Sequence, residues 1–332
     1  MKPRIAVIGC GVWGKNLVRN FYNLEVLDTV CDMRQENIDA IKDNYQGVKF
    51  INNIDEVISS KDITGVVVAT PSHTHYDVVK KALLSGKDVY VEKPIATTAD
   101  QAKELKDLSE ELGRVLMVGH LLLYHPAVAR LRELVVEGVL GDIVYAQSDR
   151  LNINYFKNDK SVMWDLAPHD ISMISYIIGK KPVSVKSAVG FSTSGNDIMD
   201  IVHLDLNFED DVYGHISTSW IHPQKRVMLL IRGTKASAML DDTVCEHKIL
   251  IFENNSNKKE DILTPEYMEI EPLKLECQHF INCIINRTKP RSDGTNGYEV
   301  IKIIEEADKY MLGSDYQKLN NYNFSSSRTA GK

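Results

Sequence analysis

The sequence predicts a two-domain α/β protein, with a parallel, doubly wound sheet over residues 1–120 and a strand-rich α+β domain with a mostly antiparallel sheet over 121–332. Three observations predict it. An apolar run, Ile5-Ala6-Val7-Ile8, leads directly into Gly9-x-Gly11-x-x-Gly14. Apolar runs and amphipathic stretches then alternate as far as His120, the pattern of βαβ units. From residue 182 to 232 strand-like runs follow one another without helices between them.

In the first domain the spacing predicts strands at 5–8, 27–31, 49–51, 65–69, 88–91 and 116–119. Helices are expected at 13–23, 34–44, 54–59, 75–85 and 98–112. The run Gly65-Val66-Val67-Val68-Ala69 is apolar throughout, as suits a strand buried on both faces. In the second domain a helix over 126–137 ends at Gly138 and Gly141. A strand over 142–150 and a helix over 170–178 follow, then strands at 182–191, 201–208, 212–219 and 227–232, and helices near 272–286 and 296–312. Polar stretches 192–198 and 253–260 read as exposed loops, and the tail 325–332 as disordered.

The opening strand, glycine turn and helix occur in the order that a dinucleotide pyrophosphate requires. Gly9 allows the tight turn, Gly11 leaves the backbone bare, and Gly14 lets helix and strand pack closely. Val12 and Trp13 lie in the same turn. The phosphates then meet free N–H groups at a helix N-terminus. The second strand ends in Asp32, 18 positions past Gly14, near the roughly 20 expected of a carboxylate that binds the adenosine ribose. A carboxylate accepts bonds from both ribose hydroxyls and repels a 2′-phosphate, which favours NAD over NADP. Arg34 tempers this preference, because a guanidinium there suits a 2′-phosphate or stacking on adenine.

The net charge is −7, so no general basic surface marks a nucleic-acid partner. No uninterrupted apolar stretch reaches about 18 residues, so no membrane span is expected. The five cysteines (10, 31, 245, 277 and 283) form no CxxC pair. They read as reduced thiols of a cytoplasmic protein rather than disulfides or metal ligands. No secretory leader is recognised.

Three clusters could carry chemistry. Glu92-Lys93-Pro94 ends a strand of the parallel sheet, where ligands of such sheets bind. A lysine there can exchange a proton with a hydroxyl or carbonyl, although a solvated lysine beside a surface acid fits the residues too. Asp165 and His169 are four apart in WDLAPHD and share one face of a helix. The pair suits a base oriented by a carboxylate, and equally an N-cap with a satisfied helix histidine. Thr70-Pro71-Ser72-His73-Thr74-His75 follows the apolar strand and suits a loop lining the nicotinamide half of the cofactor. Its two histidines lack the spacing of a zinc pair, so no metal is expected, and His75 could instead cap the next helix. Tyr124, with His120 and His125, could face a cleft. Lys225 and Arg226, with Trp220 nearby, are weaker candidates for sugar or phosphate contact.

Taken in order, Gly9-Cys10-Gly11-Val12-Trp13-Gly14, Asp32, Ala69-Thr70-Pro71 with His73 and His75, Glu92-Lys93-Pro94, and Asp165 with His169 resemble the Gfo/Idh/MocA family, the glucose–fructose oxidoreductase and inositol dehydrogenase group. The resemblance covers nearly the whole chain. It implies an N-terminal Rossmann domain and a C-terminal domain whose open sheet forms a homodimer or homotetramer interface. It also implies a catalytic set of Lys93, Asp165 and His169, with hydride passing between a sugar carbon and NAD. Lys93 would hydrogen-bond the reacting oxygen, His169 would act as base for oxidation, and Asp165 would bind a hydroxyl or orient its neighbours. Many relatives carry glycines around the acid, whereas this chain has Trp164-Asp165-Leu166-Ala167-Pro168. Within the family, GCGVWGKNLVRNF and WDLAPHDIS most resemble nucleotide-sugar dehydrogenases acting at the 3-hydroxyl of UDP-N-acetylglucosaminuronate. Tyr124, Lys225 and Arg226 would then join the substrate contacts, the last two at a diphosphate or uronate. Inositol or free-sugar dehydrogenases, an NAD-dependent glycosidase and a non-catalytic NAD-binding regulator are the alternatives.

Overall fold

The computed structural model describes residues 2–153, 161–193, 198–254 and 262–312. The expected loop at 192–198 falls partly, that at 253–260 mostly, and the tail wholly outside these residues. Two compact units share the chain. The first combines Met1–Tyr124 with Ile270–Ile301, and the second combines His125–Glu269 with Lys302–Lys332.

The first unit contains strands β1 (Ile5–Ile8), β2 (Leu27–Cys31), β3 (Lys49–Ile51), β4 (Gly65–Val68), β5 (Asp88–Glu92) and β6 (Leu116–Gly119). They form one sheet in the order β3-β2-β1-β4-β5-β6, every neighbour parallel. The order reverses between β1 and β4, and ligands of such sheets bind outside the carboxyl ends of the strands at that point. β1, β4 and β6 are buried at every residue, which explains their unbroken apolar runs. The helices are α1 (Gly14–Asn23), α2 (Gln35–Asp39), α3 (Ile54–Ser59), α4 (His75–Leu84) and α5 (Ala99–Glu111). The helix expected over 34–44 is shorter: α2 stops at Asp39, and a separate 3-10 turn covers Lys42–Asn44. Only Ile38 of α2 is buried, so packing supports no longer helix.

The sequence alone placed its boundary at 120 and assigned all later residues to the second domain. Residues 270–301 group with the first unit instead, for a physical reason. Helix α8 (Pro272–Asn286) sets Phe280 edge-on to Phe21 and Tyr90, at centroid distances of 6.3 and 5.9 Å. Arg287 Nη1 donates to Asp88 Oδ2 at 2.7 Å, and Val118 N donates to the Ser292 carbonyl at 2.7 Å. The late segment thereby covers a face of the early sheet.

The second unit holds an eight-stranded sheet in the order β14-β13-β12-β11-β7-β10-β9-β8. Its strands are β7 (Ile143–Leu151), β8 (Pro182–Phe191), β9 (Ile201–Phe208), β10 (Tyr213–Ser219), β11 (Arg226–Gly233), β12 (Ala236–Asp241), β13 (Ile249–Glu253) and β14 (Ile262–Leu263). Only β7 and β10 pair in parallel. The unit also contains α6 (Pro126–Val136) and α7 (Val162–Ile178), and α9 (Gly294–Leu312) supplies its last residues.

Helix α7 begins at Val162 rather than near Asp170, with Pro168 inside it. A proline there removes a donor and crowds the carbonyl four residues back, at a cost of about 3 kcal/mol. Burial of Val162, Met163, Leu166, Ala167, Ile171 and Ile174 offsets that cost, at about 1.5–3 kcal/mol for each large apolar side chain. The helix is also pinned to the sheet. Arg150 Nε lies 3.0 and 2.9 Å from the two oxygens of fully buried Asp170, and Ser148 Oγ donates to Asp170 Oδ1 at 2.8 Å. Removing one partner of such a pair strands a buried charge. Arg150→Ala is therefore expected to lower stability by about 3–5 kcal/mol, measured by urea unfolding of the full chain; a change within about 0.5 kcal/mol would contradict this account.

Candidate active site

The glycine turn is built by exclusion. Gly9 has φ +93°, and a Cβ there would lie 2.6 Å from the Ala69 carbonyl oxygen. A Cβ on Gly14 would overlap the Gly9 carbonyl oxygen. At Gly11 an added Cβ meets only Arg34 Nη2, at 4.0 Å. Two glycines thus close the turn, while the third leaves open backbone beside the N-terminus of α1. That cradle fits a dinucleotide pyrophosphate. Val12 and Trp13 are exposed on the same turn.

Asp32 follows β2 and accepts three hydrogen bonds: from Cys10 N at 2.8 Å, Arg34 N at 2.9 Å and Asn37 Nδ2 at 3.0 Å. Burial by itself would raise its pKa, but these bonds outweigh that effect and hold the carboxyl below the usual aspartate range. An anion therefore stands beside the turn, while the Arg34 side chain is exposed next to it.

Past β4, Thr70 accepts a bond from Thr74 Oγ1 at 2.7 Å, Pro71 and His73 are exposed, and His75 is buried. The His75 ring bridges two segments: Nδ1 lies 2.7 Å from the Pro94 carbonyl and Nε2 lies 2.8 Å from that of Thr70. It is the first residue of α4, whose N-cap is Thr74. The ring instead ties the end of β4 to the segment after β5.

Glu92 is the last residue of β5. It accepts from Trp13 Nε1 at 2.6 Å, Tyr90 Oη at 3.0 Å and Lys93 N at 3.3 Å. The glycine turn and the lysine segment thus share one carboxyl group. Burial pushes the Glu92 pKa up, opposed by these donors and the Lys93 charge. Lys93 is half-buried and precedes Pro94 through a cis peptide bond.

Tyr124 is buried within the same unit, with its hydroxyl 2.9 Å from Ser292 Oγ and Arg291 lying 5.1 Å above its ring. Its polar end is committed to this packing rather than presented to a ligand. His120 is also buried, with Nδ1 2.6 Å from Asn296 Oδ1, and burial pushes its pKa down to about 4.

In the second unit α7 carries Asp165 and His169 one turn apart, Asp165 buried and His169 half-buried. Trp164 donates Nε1 to Asp308 Oδ2 at 2.6 Å, and burial pushes Asp308 up to about 7. His125 accepts from Ala127 N at 3.2 Å and so caps α6. Lys225 and Arg226 are exposed, with Arg226 Nη1 3.7 Å from Asp149 Oδ2. Trp220 is fully buried, so it serves the core rather than a ligand surface. Among the described residues no three His, Cys, Asp or Glu side chains gather as metal ligands, and no helix is long and apolar enough to cross a membrane.

Sequence reasoning missed Tyr90, which donates its hydroxyl to Glu92, and Glu276, which shares a buried electrostatic environment with it. The available signal was an acid on an otherwise apolar helix stripe, Leu273, Glu276, Cys277, Phe280 and Cys283.

A parallel sheet with a phosphate cradle at its switch point and an acid after β2 defines a dinucleotide-binding oxidoreductase fold. A model of the oxidoreductase family with an NAD-binding Rossmann fold (Gfo/Idh/MocA) matches residues 3–120, and a model of the Gfo/Idh/MocA C-terminal domain matches 128–239. The chain belongs to the Gfo/Idh/MocA family. It is 25% identical over 305 residues to scyllo-inositol 2-dehydrogenase (NAD(+)) of Bacillus subtilis, covering 86% of this chain and 87% of that one. It is 24% identical over 255 residues to 2,7-anhydro-N-acetylneuraminate hydratase of Mediterraneibacter gnavus, covering 72% and 67%. Among solved structures, UDP-N-acetylglucosamine 3-dehydrogenase GnnA from Acidithiobacillus ferrooxidans superposes with a TM-score of 0.83 at 21% identity, covering 94% of this chain and 98% of that one.

Two expected outcomes follow from this geometry. Gly11→Ala leaves stability within about 0.5 kcal/mol but weakens NAD binding by calorimetry, whereas Gly14→Ala destabilises the fold by more than about 1 kcal/mol through overlap with Gly9; equal effects would contradict the distinct roles. Asp32 has a depressed pKa, so the stability it contributes is present above the ordinary aspartate range and is lost as pH falls through its folded value. The stability gap between wild type and Asp32→Asn should therefore be open at neutral pH and close in acid, read by thermal unfolding across pH.

Proposed function

We propose that this protein is an NAD-dependent dehydrogenase that transfers hydride between the nicotinamide and the 3-position of a UDP-N-acetylhexosaminuronate. The observation that carries this reading is the placement of Lys93 at the carboxyl end of β5, tied through Glu92 and Trp13 to the glycine turn. Gly9, Gly11 and Gly14 cradle the pyrophosphate, with Val12 and Trp13 over it. Asp32 takes the adenosine ribose and favours NAD over NADP, with Arg34 beside the adenine. Thr70, Pro71, His73 and His75 line the path towards the nicotinamide, and Glu92 fixes Lys93.

Bound NAD supplies the hydride acceptor. Lys93 hydrogen-bonds the reacting oxygen, and His169 takes the hydroxyl proton as the C–H hydride leaves. Asp165 binds a neighbouring hydroxyl or orients His169. Lys225 and Arg226 supply cations for a diphosphate or uronate. Tyr124 acts by shaping the surrounding wall, since its hydroxyl is bonded to Ser292. A homodimer or homotetramer through the second sheet is part of the proposal. Tyr145 stacks on Tyr213, and His203 on His215, along one face of that sheet. The five free thiols support a reducing, cytoplasmic setting.

An inositol or free-sugar dehydrogenase is the second reading, favoured by the scyllo-inositol relative. Purified protein offered NAD with UDP-N-acetylglucosaminuronate, UDP-N-acetylglucosamine or myo-inositol should reduce NAD fastest with the uronate, followed at the nicotinamide absorbance. Lys93→Ala and His169→Ala should each lower that rate by at least about 100-fold, the scale of general acid–base catalysis. Faster turnover of myo-inositol would select the second reading. Sugar release without net NADH would select a glycosidase, and full activity in both variants would remove the catalytic set.

A further inference from the structure

Glu276 sits on α8 with zero solvent exposure, and neither of its carboxyl oxygens has a hydrogen-bond partner among the described residues. A carboxylate in that position would be a buried charge without compensation, at a cost of several kcal/mol. The groups that act on it directly are anionic or neutral. From β5, Tyr90 and Glu92 face it: burial and the like charge of Glu92 push its pKa well up, opposed by the Tyr90 hydroxyl, which is itself bonded to Glu92 at 3.0 Å. On α8 its neighbour Cys277 is fully buried, and its thiol is pushed up by burial and by Glu276 and Glu92. From the turn before α6, Tyr124 faces it, with the Arg291 guanidinium on the Tyr124 ring.

Glu92 differs in kind. It accepts three hydrogen bonds and has the Lys93 charge beside it. Gly119 pairs with Glu92 across the sheet, and a Cβ there would lie 2.7 Å from Tyr90 Oη and 2.9 Å from Glu92 Oε2. The bare glycine leaves room for this network. Of the two acids, Glu92 with three donors and the Lys93 charge is equipped to be the anion, and Glu276, whose sole polar neighbour able to donate, among the described residues, is the Tyr90 hydroxyl already bonded to Glu92, is equipped to be neutral.

We propose that Glu276 is a positioning residue for the Glu92–Lys93 segment: it keeps its proton, so that Glu92 stands as the single anion in this interior and holds Trp13 of the glycine turn against the end of β5. The proton on Glu276 is what permits the charge-assisted Trp13–Glu92 bond. If Glu276 loses its proton to solvent at alkaline pH, two carboxylates stand together in one interior, and their repulsion pushes Glu92 away from Trp13 and weakens the bond between them. Dinucleotide affinity then becomes linked to the protonation of a helix residue that makes no contact with the ligand.

The inference rests on the proposed cofactor cradle, but its tests need no turnover. Infrared spectra of the full chain at about pH 8, where ordinary carboxyls are ionised, should show a protonated-acid carbonyl band. Glu276→Gln removes that band and Glu92→Gln keeps it. A band that survives in Glu276→Gln, or that vanishes only in Glu92→Gln, overturns the assignment. NAD affinity of wild type, measured by calorimetry, should fall by at least about fivefold as pH rises into the alkaline range, the low end of a typical coupling. Glu276→Gln abolishes this fall, and the accompanying change in tryptophan emission is absent in Trp13→Phe. An identical alkaline loss in Glu276→Gln overturns the positioning role. Should Glu276→Gln fail to fold, a band lost in Glu92→Gln refutes the proposal and a retained one supports it. Full activity of Lys93→Ala would remove the catalytic reading and leave these readouts untouched.

Discussion

The close passage of the first glycine over the end of β4 is the constraint on which the rest of the first unit depends. With a backbone carbonyl 2.6 Å from where a Gly9 side chain would begin, β1 and β4 can adjoin while the chain between β1 and α1 turns sharply. That adjacency creates the switch point, and the switch point leaves a crevice for a ligand. The loops after β4 and β5 then stand at its rim. His75 joins them by contacting the carbonyls of Thr70 and Pro94. Glu92 joins the second of them to the glycine turn. Sterics set the topology, and a small number of polar bonds set the positions of the side chains with chemistry.

The second unit solves a different problem. Its long helix carries two candidate functional groups on one face and a proline between them. Local propensity disfavours that helix, so tertiary bonds hold it. Asp170, immediately after His169, is clamped by Arg150 and Ser148. Trp164, immediately before Asp165, is held by Asp308. The pair Asp165 and His169 therefore lies between two anchors, which restricts rotation of the helix that presents it.

Legibility in the sequence followed the range of the forces involved. The six parallel strands were readable because burial on both faces demands unbroken apolar runs. The cradle was readable because only glycine satisfies its sterics. The start of α7 was not, since Pro168 argues against a helix and Arg150–Asp170 is a long-range bond. Strands β12, β13 and β14 escaped notice: Ala236-Ser237-Ala238 has weak strand propensity, and β14 has two residues. Glu276 and its relation to Glu92 needed the placement of α8, 184 positions later in the chain, which no local pattern conveys. The inward commitment of the Tyr124 hydroxyl likewise depends on Ser292, a distant residue.

The layout of the first unit has a consequence for how the protein is made. Its sheet is complete by Gly119, yet Phe280, Arg287 and Ser292, which cover and brace it, are added only after His125–Glu269 of the second unit have been synthesised. Contacts of such long sequence separation form late and slow folding. On a ribosome the nascent sheet waits with an apolar face uncovered, around Tyr90 and Phe21, for roughly half of the time needed to build the chain. A stop codon or frameshift anywhere before α8 would therefore damage the beginning of the protein as well as its end, and the early sheet expressed alone would be an aggregation-prone fragment.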